Sequence, residues 1–212
     1  MKSVTERVYL TDFILACLAY CLFVGSDSIV KYLGSDYSIV QIIFVNSWFA
    51  LIPIVLYTQT LNGWRKLKKA NFTVHFFRAL TMALALFFGY TGFYRLPMVT
   101  MYSIVFLIPL LITIGSVFFL GEVVRWKRFT AILIGFTGAV ISINPFGTEY
   151  DNHIFLAIFC PIFASASYLI VRKYGFKENL FSFLIFGKGL MIIFSGIFAL
   201  YIFKPVSLDH LM

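Results

Sequence analysis

Acidic residues are scarce in this chain, with nine Asp and Glu against seventeen Lys and Arg, and charged side chains of both signs make up only 12% of its 212 residues. A soluble domain needs a polar shell, and a chain this short of charge cannot build one. Cysteine is also rare. Cys17, Cys21 and Cys160 all fall within apolar runs, which excludes a disulfide framework and leaves small apolar packing as their role. The sequence has no His-Glu-x-x-His motif, no phosphate-binding Gly-Lys-Ser/Thr motif and no two carboxylates on one buried helix face. His75, His153 and His210 fall at the ends of apolar runs or between them, so an intramembrane enzyme lacks its usual residues. A channel would need a polar stripe repeated down several runs, and the polar residues are scattered.

What the chain has in abundance is hydrophobic sequence, 61% of all residues. Runs near twenty residues recur along the whole length, each long enough to cross roughly 30 Å of hydrocarbon as a helix. They place spans at about 12–33, 38–58, 76–95, 98–120, 128–145, 153–172 and 182–203. The runs are continuously apolar rather than alternating, which favours helices over barrel strands, and lipid requires every backbone polar group to be satisfied internally. The expected fold is all-α: a polytopic membrane bundle of about seven transmembrane helices.

Basic residues gather in every second gap between the spans. Lys2 and Arg7 precede the first; Arg65, Lys66, Lys68, Lys69 and Arg78 surround the second gap; Arg125, Lys127 and Arg128 fill the fourth; Arg172, Lys173 and Lys177 fill the sixth. The other gaps hold mainly Asp36, then Arg95, then Glu149 and Asp151. By the positive-inside rule the N-terminus is cytoplasmic, and the net charge of +8 reflects topology rather than a nucleic-acid groove. The first run is too long for a signal peptide, carries Asp27 and Lys31, and lacks a small-x-small cleavage site.

Sliding the sequence on itself by 141 residues sets Leu15-Ala16 over Leu156-Ala157, Ser26 over Ser167, and Ile29-Val30-Lys31 over Ile170-Val171-Arg172. Five helices separate these positions, so the second copy crosses the membrane in the opposite sense, the inverted-repeat plan of many secondary transporters. Chance matching of apolar runs is the competing explanation. On this plan residues 1–150 form a first five-helix repeat and 151–212 the first two helices of an incomplete second one, with 204–212 as an extracytoplasmic loop. The fifth span carries Ala131, Gly135 and Ala139 at spacing four, beside Gly138 and Ser142, a small-residue stripe that lets another helix approach closely, from this chain or a second subunit.

The stretch from Leu96 to Pro145 carries a more particular pattern. Leu96-Pro97-Met98-Val99-Thr100 opens the fourth span, Pro109 interrupts it, Leu120-Gly121-Glu122 closes it, and Gly135-Phe136-Thr137-Gly138-Ala139-Val140 runs through the fifth. In combination these resemble the EamA-type drug/metabolite transporter superfamily. Val30-Lys31-Tyr32-Leu33-Gly34 and His75-Phe76-Phe77-Arg78-Ala79-Leu80 fit the same family and look most like its S-adenosylmethionine uptake carriers. The resemblance implies ten helices in two inverted repeats, alternating access around a central cavity, no cofactor and no ATP hydrolysis. The chain departs from the family in stopping after seven spans. It also lacks the arginine often found in the second span, where Asn46 is the nearest polar residue.

An ionisable group within the bilayer costs a few kcal/mol, so each needs a partner or a wet cavity. Asp27 and Lys31 stand one helical turn apart with the acid on the N-terminal side, an orientation that favours an ion pair. They read either as a gate or site for a zwitterionic solute or as a self-neutralised pair with Lys31 snorkelling to the interface. Lys188, about 10 Å into the seventh span by helical rise, is a cation for a substrate carboxylate or phosphate, or another snorkelling side chain. Shifted by 142 residues it falls on Asn46, which would set both against one central space. Tyr90, Tyr94 and Tyr102 suit stacking and hydrogen bonding to an organic solute, against ordinary packing or belt roles. Glu122 near Arg125 suggests an interfacial salt bridge ahead of proton coupling, and Pro109 a kink.

Together these readings point to a secondary carrier of a small organic metabolite, S-adenosylmethionine or another zwitterion, in a bacterial inner membrane. Asp27, Lys31, Asn46, Tyr90, Tyr94, Tyr102 and Lys188 are its candidate substrate-binding residues, with no metal site. Its expected partners are the small-molecule substrate and membrane lipid, not nucleic acid, with a homodimer or partner chain to supply the missing helices. The rival is a non-transporting remnant, or one piece of a split carrier gene, that inserts without a closed pathway.

Overall fold

The computed structural model describes residues 2–60, 71–143, 152–176, 178 and 180–202. The basic residues Arg65, Lys66, Lys68, Lys69 and Lys177, together with Pro145, Glu149, Asp151, His210 and the rest of 204–212, lie outside the described residues. Every described element is helical: α1 (Lys2–Leu33), α2 (Ile39–Thr60), α3 (Phe72–Arg95), α4 (Met98–Val105), α5 (Ile108–Leu120), α6 (Trp126–Ile143), α7 (His153–Tyr174) and α8 (Leu180–Ile202). Counting α4 and α5 as one broken crossing, six of the resulting seven rods are long and apolar enough to span a membrane. The exception is α6, whose apolar stretch, Phe129–Ile141, is shorter than a full crossing needs. Large side chains such as Phe13, Leu18, Phe23, Phe49, Phe118 and Leu200 stand exposed on the outside, as expected of surfaces that meet lipid rather than water.

Local chemistry explains the breaks. Pro109 has no backbone N–H to return to Val105, four residues earlier, and its ring crowds that carbonyl. The fourth crossing accordingly stops at Val105, turns at Phe106–Leu107 and restarts at Ile108. Gly121 ends α5 in the left-handed conformation, φ 67°, which only glycine adopts cheaply. At the start of α3 the Asn71 side chain caps the helix by accepting from the Thr73 N–H at 3.1 Å.

α3 lies at the centre and packs against α1, α2, α4, α7 and α8. It fits closely against both α4 and α7: a Cβ added to Gly92 would come within 2.5 Å of the Met101 sulfur on α4 and 3.2 Å of Ala157 on α7, and one on Gly89 within 3.1 Å of the Cys160 sulfur on α7. Cys160 is therefore a buried packing residue, whereas Cys17 and Cys21 lie exposed on α1. No helix among the described residues packs closely on the small-residue stripe of α6. Among the described residues none comes within 4 Å of a Cβ added at Gly135 or Gly138, and Ala131, Gly135 and Ala139 face α4 and α5 across a groove of about 580 Å³.

Candidate functional site

Two polar groupings sit inside the bundle, at opposite ends of α3. The first gathers where α1 meets the last turns of α3. Asp27 is half-buried there and accepts a hydrogen bond from the Tyr102 hydroxyl at 2.9 Å. Tyr102 in turn packs edge-on against Phe93, 5.1 Å between ring centroids. Tyr90 is buried in the core formed by Val30, Ile42, Ile43 and Met191, with its hydroxyl beside Ser26 and Asp27.

Lys31 does not pair with Asp27 as the sequence spacing suggested. Its ammonium donates to the Leu96 carbonyl at 2.7 Å and the Phe93 carbonyl at 3.2 Å. The last carbonyls of a helix lack intrahelical donors and carry the negative end of its dipole, so a cation there is doubly favoured. Among the described residues no basic side chain compensates Asp27.

Tyr94 stands apart from this grouping. Its ring lies against Gly34, where an added Cβ would meet it at 2.8 Å, and Arg95 covers it at 4.8 Å. It therefore closes the turn after α1 instead of lining a cavity with Tyr90. Asn46 lines a pocket of about 270 Å³ with Ser26, Gln41 and Val45 between α1 and α2. Lys188 lines a different one, of about 90 Å³, with Arg78. The single space expected for Asn46 and Lys188 is thus two, because α8 turns Lys188 toward α3 while α2 turns Asn46 toward α1.

The second grouping was not anticipated as a site. Arg78, read from sequence as one of the loop charges, lies inside α3 and donates from Nη1 to the Phe183 carbonyl at 2.8 Å. His75, expected at a span end, is fully buried, stacked on Phe186 and edge-on to Phe183, with Nε2 3.1 Å from a Glu178 oxygen. The other Glu178 oxygen accepts from the Asn71 N–H at 3.1 Å. Glu122 does form a salt bridge, but with Arg172 at 2.8 Å rather than with Arg125. The only hint in sequence was the His75 to Leu80 run, whose polar residues enter an apolar helix without an acid nearby. Among the described residues no cluster of His, Cys, Asp or Glu could hold a metal ion.

Known proteins add the remaining information. No solved structure matches the chain. It is 30% identical over 211 residues to the S-adenosylmethionine uptake transporter of Rickettsia conorii, covering 96% of this chain and 66% of that protein. It is 29% identical, with the same coverage, to the transporter of that name from Rickettsia felis. The riboflavin transporter of Vibrio cholerae is 24% identical over 156 residues, 72% of this chain and 52% of that protein. The chain thus spans about two thirds of the length of the S-adenosylmethionine relatives it matches. The EamA-like transporter family, one of transporters and not of enzymes, matches residues 11–144, well over half of the 212, and the chain belongs to that family.

Proposed function

We propose that the protein is a secondary carrier that moves a small zwitterionic or cationic organic metabolite, of the S-adenosylmethionine kind, across a bacterial inner membrane. The observation that carries this reading is Asp27. It is a carboxylate within a spanning helix, oriented by the Tyr102 hydroxyl and left without a basic partner among the described residues because Lys31 is held by α3. Such a group asks for a cation, and a sulfonium or ammonium passing through the bundle supplies one. Tyr102 orients the carboxylate, Tyr90 and Ser26 form its polar surround, and Asn46 adds hydrogen bonds from the neighbouring pocket. The similarity to S-adenosylmethionine uptake transporters over nearly the whole chain supports the same solute class.

The carrier works by rocking one repeat against another, with residues 1–150 as the first five-helix repeat and 151–212 carrying the first two helices of the second. The match of Ile29-Val30-Lys31 to Ile170-Val171-Arg172 supports that division, as does a family match that ends at residue 144. Uptake of labelled S-adenosylmethionine into proteoliposomes tests the proposal, with riboflavin as the comparison solute. Asp27→Asn is expected to lower the initial rate by about tenfold or more, the equivalent of one lost charge-assisted contact of roughly 1.5–3 kcal/mol. Equal rates for Asp27→Asn and the parent chain would remove Asp27 from the site. Uptake of riboflavin without S-adenosylmethionine would overturn the substrate class, and uptake of neither would overturn transport by this chain on its own.

A further inference from the structure

Arg78 on α3 and Lys188 on α8 face a single cavity of about 90 Å³ whose other walls include Ala79, Met82, Leu86 and Met191. Both side chains are half-buried. By helical rise Arg78 lies about 9 Å and Lys188 about 12 Å from the first residues of their helices, well inside the bundle. Arg78 is fixed in place: Nη1 donates to the Phe183 carbonyl at 2.8 Å, the guanidinium lies 5.3 Å from the Phe183 ring centre, and its Nε is buried without a partner. Gly187 makes room for it, since a Cβ there would come within 2.5 Å of Nη1. Lys188 has neither a hydrogen bond nor an ion pair among the described residues.

The described acids nearby are committed elsewhere, Glu178 to His75 and the Asn71 N–H, Glu122 to Arg172. Two like charges therefore share one apolar cavity with no counter-ion from the described chain. Each charge alone costs roughly 2.5–3.5 kcal/mol in a membrane interior, and their mutual repulsion adds to that. The arrangement is electrostatically complete only when an anion enters between them.

We propose that Arg78 and Lys188 form an anion subsite that takes the carboxylate of an amino-acid-like solute. The inference rests on the transport reading above and specifies one end of the solute. A carboxylate suits the planar guanidinium fork, with Lys188 as the neutralising point charge. The cavity is small and walled by methionine and leucine, which suits one small charged group rather than a whole solute. Arg78 and Tyr90 are twelve residues apart on α3, about 18 Å by helical rise, farther than the cation and carboxylate of one amino-acid-like solute lie apart, so the Arg78–Lys188 cavity and Asp27 act as successive stations along the path and are not filled together by one solute.

The test is ligand-induced thermal stabilisation of the purified chain in nanodiscs of zwitterionic lipid. The probes are S-adenosylmethionine, its decarboxylated analogue, methionine, methionine methyl ester, and inorganic phosphate. Carboxylate-bearing probes are expected to stabilise the parent chain at concentrations about tenfold or more below those of their carboxylate-free counterparts. Lys188→Met abolishes that preference and Lys188→Arg restores it, a rescue that a packing role for Lys188 would not give. Because Arg78 also anchors Phe183, its variants are read only where the unliganded melting point is unchanged. Equal response to the paired probes, or a preference that survives Lys188→Met, overturns the subsite. So does stabilisation by phosphate, or by phosphatidylglycerol nanodiscs, with none by carboxylates. If methionine acts through Lys188 but riboflavin is taken up and S-adenosylmethionine is not, the subsite stands and the substrate class falls. Uptake of S-adenosylmethionine with no preference for its carboxylate gives the reverse.

Discussion

The Lys31 ammonium has two competing acceptors, the Asp27 carboxylate one turn away and the open carbonyls at the end of α3. A helical i,i+4 pair is worth about 0.2–0.5 kcal/mol, whereas a buried carbonyl left without a donor costs about 1–3 kcal/mol, so the carbonyls win. Sequence spacing displays the first acceptor and hides the second, which comes from residues sixty-two and sixty-five positions away. Asp27 is thereby left without a basic partner among the described residues, which the proposed transport reading requires. Lys31→Met is expected to destabilise the chain by about 1–3 kcal/mol, read as a lower midpoint of thermal unfolding in detergent, and Lys31→Arg to recover most of it. A midpoint unmoved by Lys31→Met would show that the two carbonyls do not need the ammonium. Asp27 and Tyr102 were both legible as polar groups in apolar spans, but their hydrogen bond depends on how α1 lies across α4.

At the scale of elements, the crossings were readable because hydrophobic length is a local property, and the break near Pro109 because proline removes a local hydrogen bond. Helix neighbours were not readable in the same way. Small residues at spacing four on α6 satisfy the pattern for close approach, yet no described residue closes on Gly135 or Gly138; the close approach belongs to Gly89 and Gly92 on α3 against α4 and α7. A small-residue pattern states that a helix can be approached and leaves open which helix arrives. The two glycine positions should therefore respond in opposite directions. Gly92→Val overpacks the fully buried Met101 and is expected to cost about 1–3 kcal/mol, while Gly135→Ala, with no described residue to strike, gains up to about 1 kcal/mol of helix propensity. Thermal unfolding of the two variants side by side checks this, and a stable Gly92→Val would contradict the tight fit of α3 against Met101 of α4 and Ala157 of α7. Arg78 was missed for a related reason: it follows a basic loop in sequence, and its anchor on Phe183 lies on a helix more than one hundred residues later.

For the whole molecule, the described polar ties between α1–α6 and the segment from α7 onward cluster at the end where α2 leads to α3, α5 to α6 and α7 to α8. His75 and Asn71 hold Glu178, Glu122 holds Arg172, and Arg78 holds the Phe183 carbonyl. At the other end the ties of Asp27 and Lys31 stay within the first five crossings. If the proposed repeats rock against each other, opening the tied end requires breaking these polar contacts, whereas at the Asp27 end the repeats meet through apolar packing, Phe93, Met101 and Ile104 against Ala157 and Cys160. Which compartment the tied end faces follows from the lysines and arginines flanking its connections, because orientation tracks basic residues and is little affected by the acids among them. The tied end should therefore be cytoplasmic. Cysteine labelling with a membrane-impermeant maleimide tests this on Ser35→Cys, in the turn after α1, and Val123→Cys, an exposed position between α5 and α6. The native background is low because Cys160 is buried, and Cys17 and Cys21 lie within the first apolar helix. Ser35→Cys should label in intact cells and Val123→Cys only after permeabilisation. The reverse pattern would invert the orientation and place the Arg78–Lys188 cavity near the outer face, where it would receive an incoming carboxylate before Asp27 meets the cation.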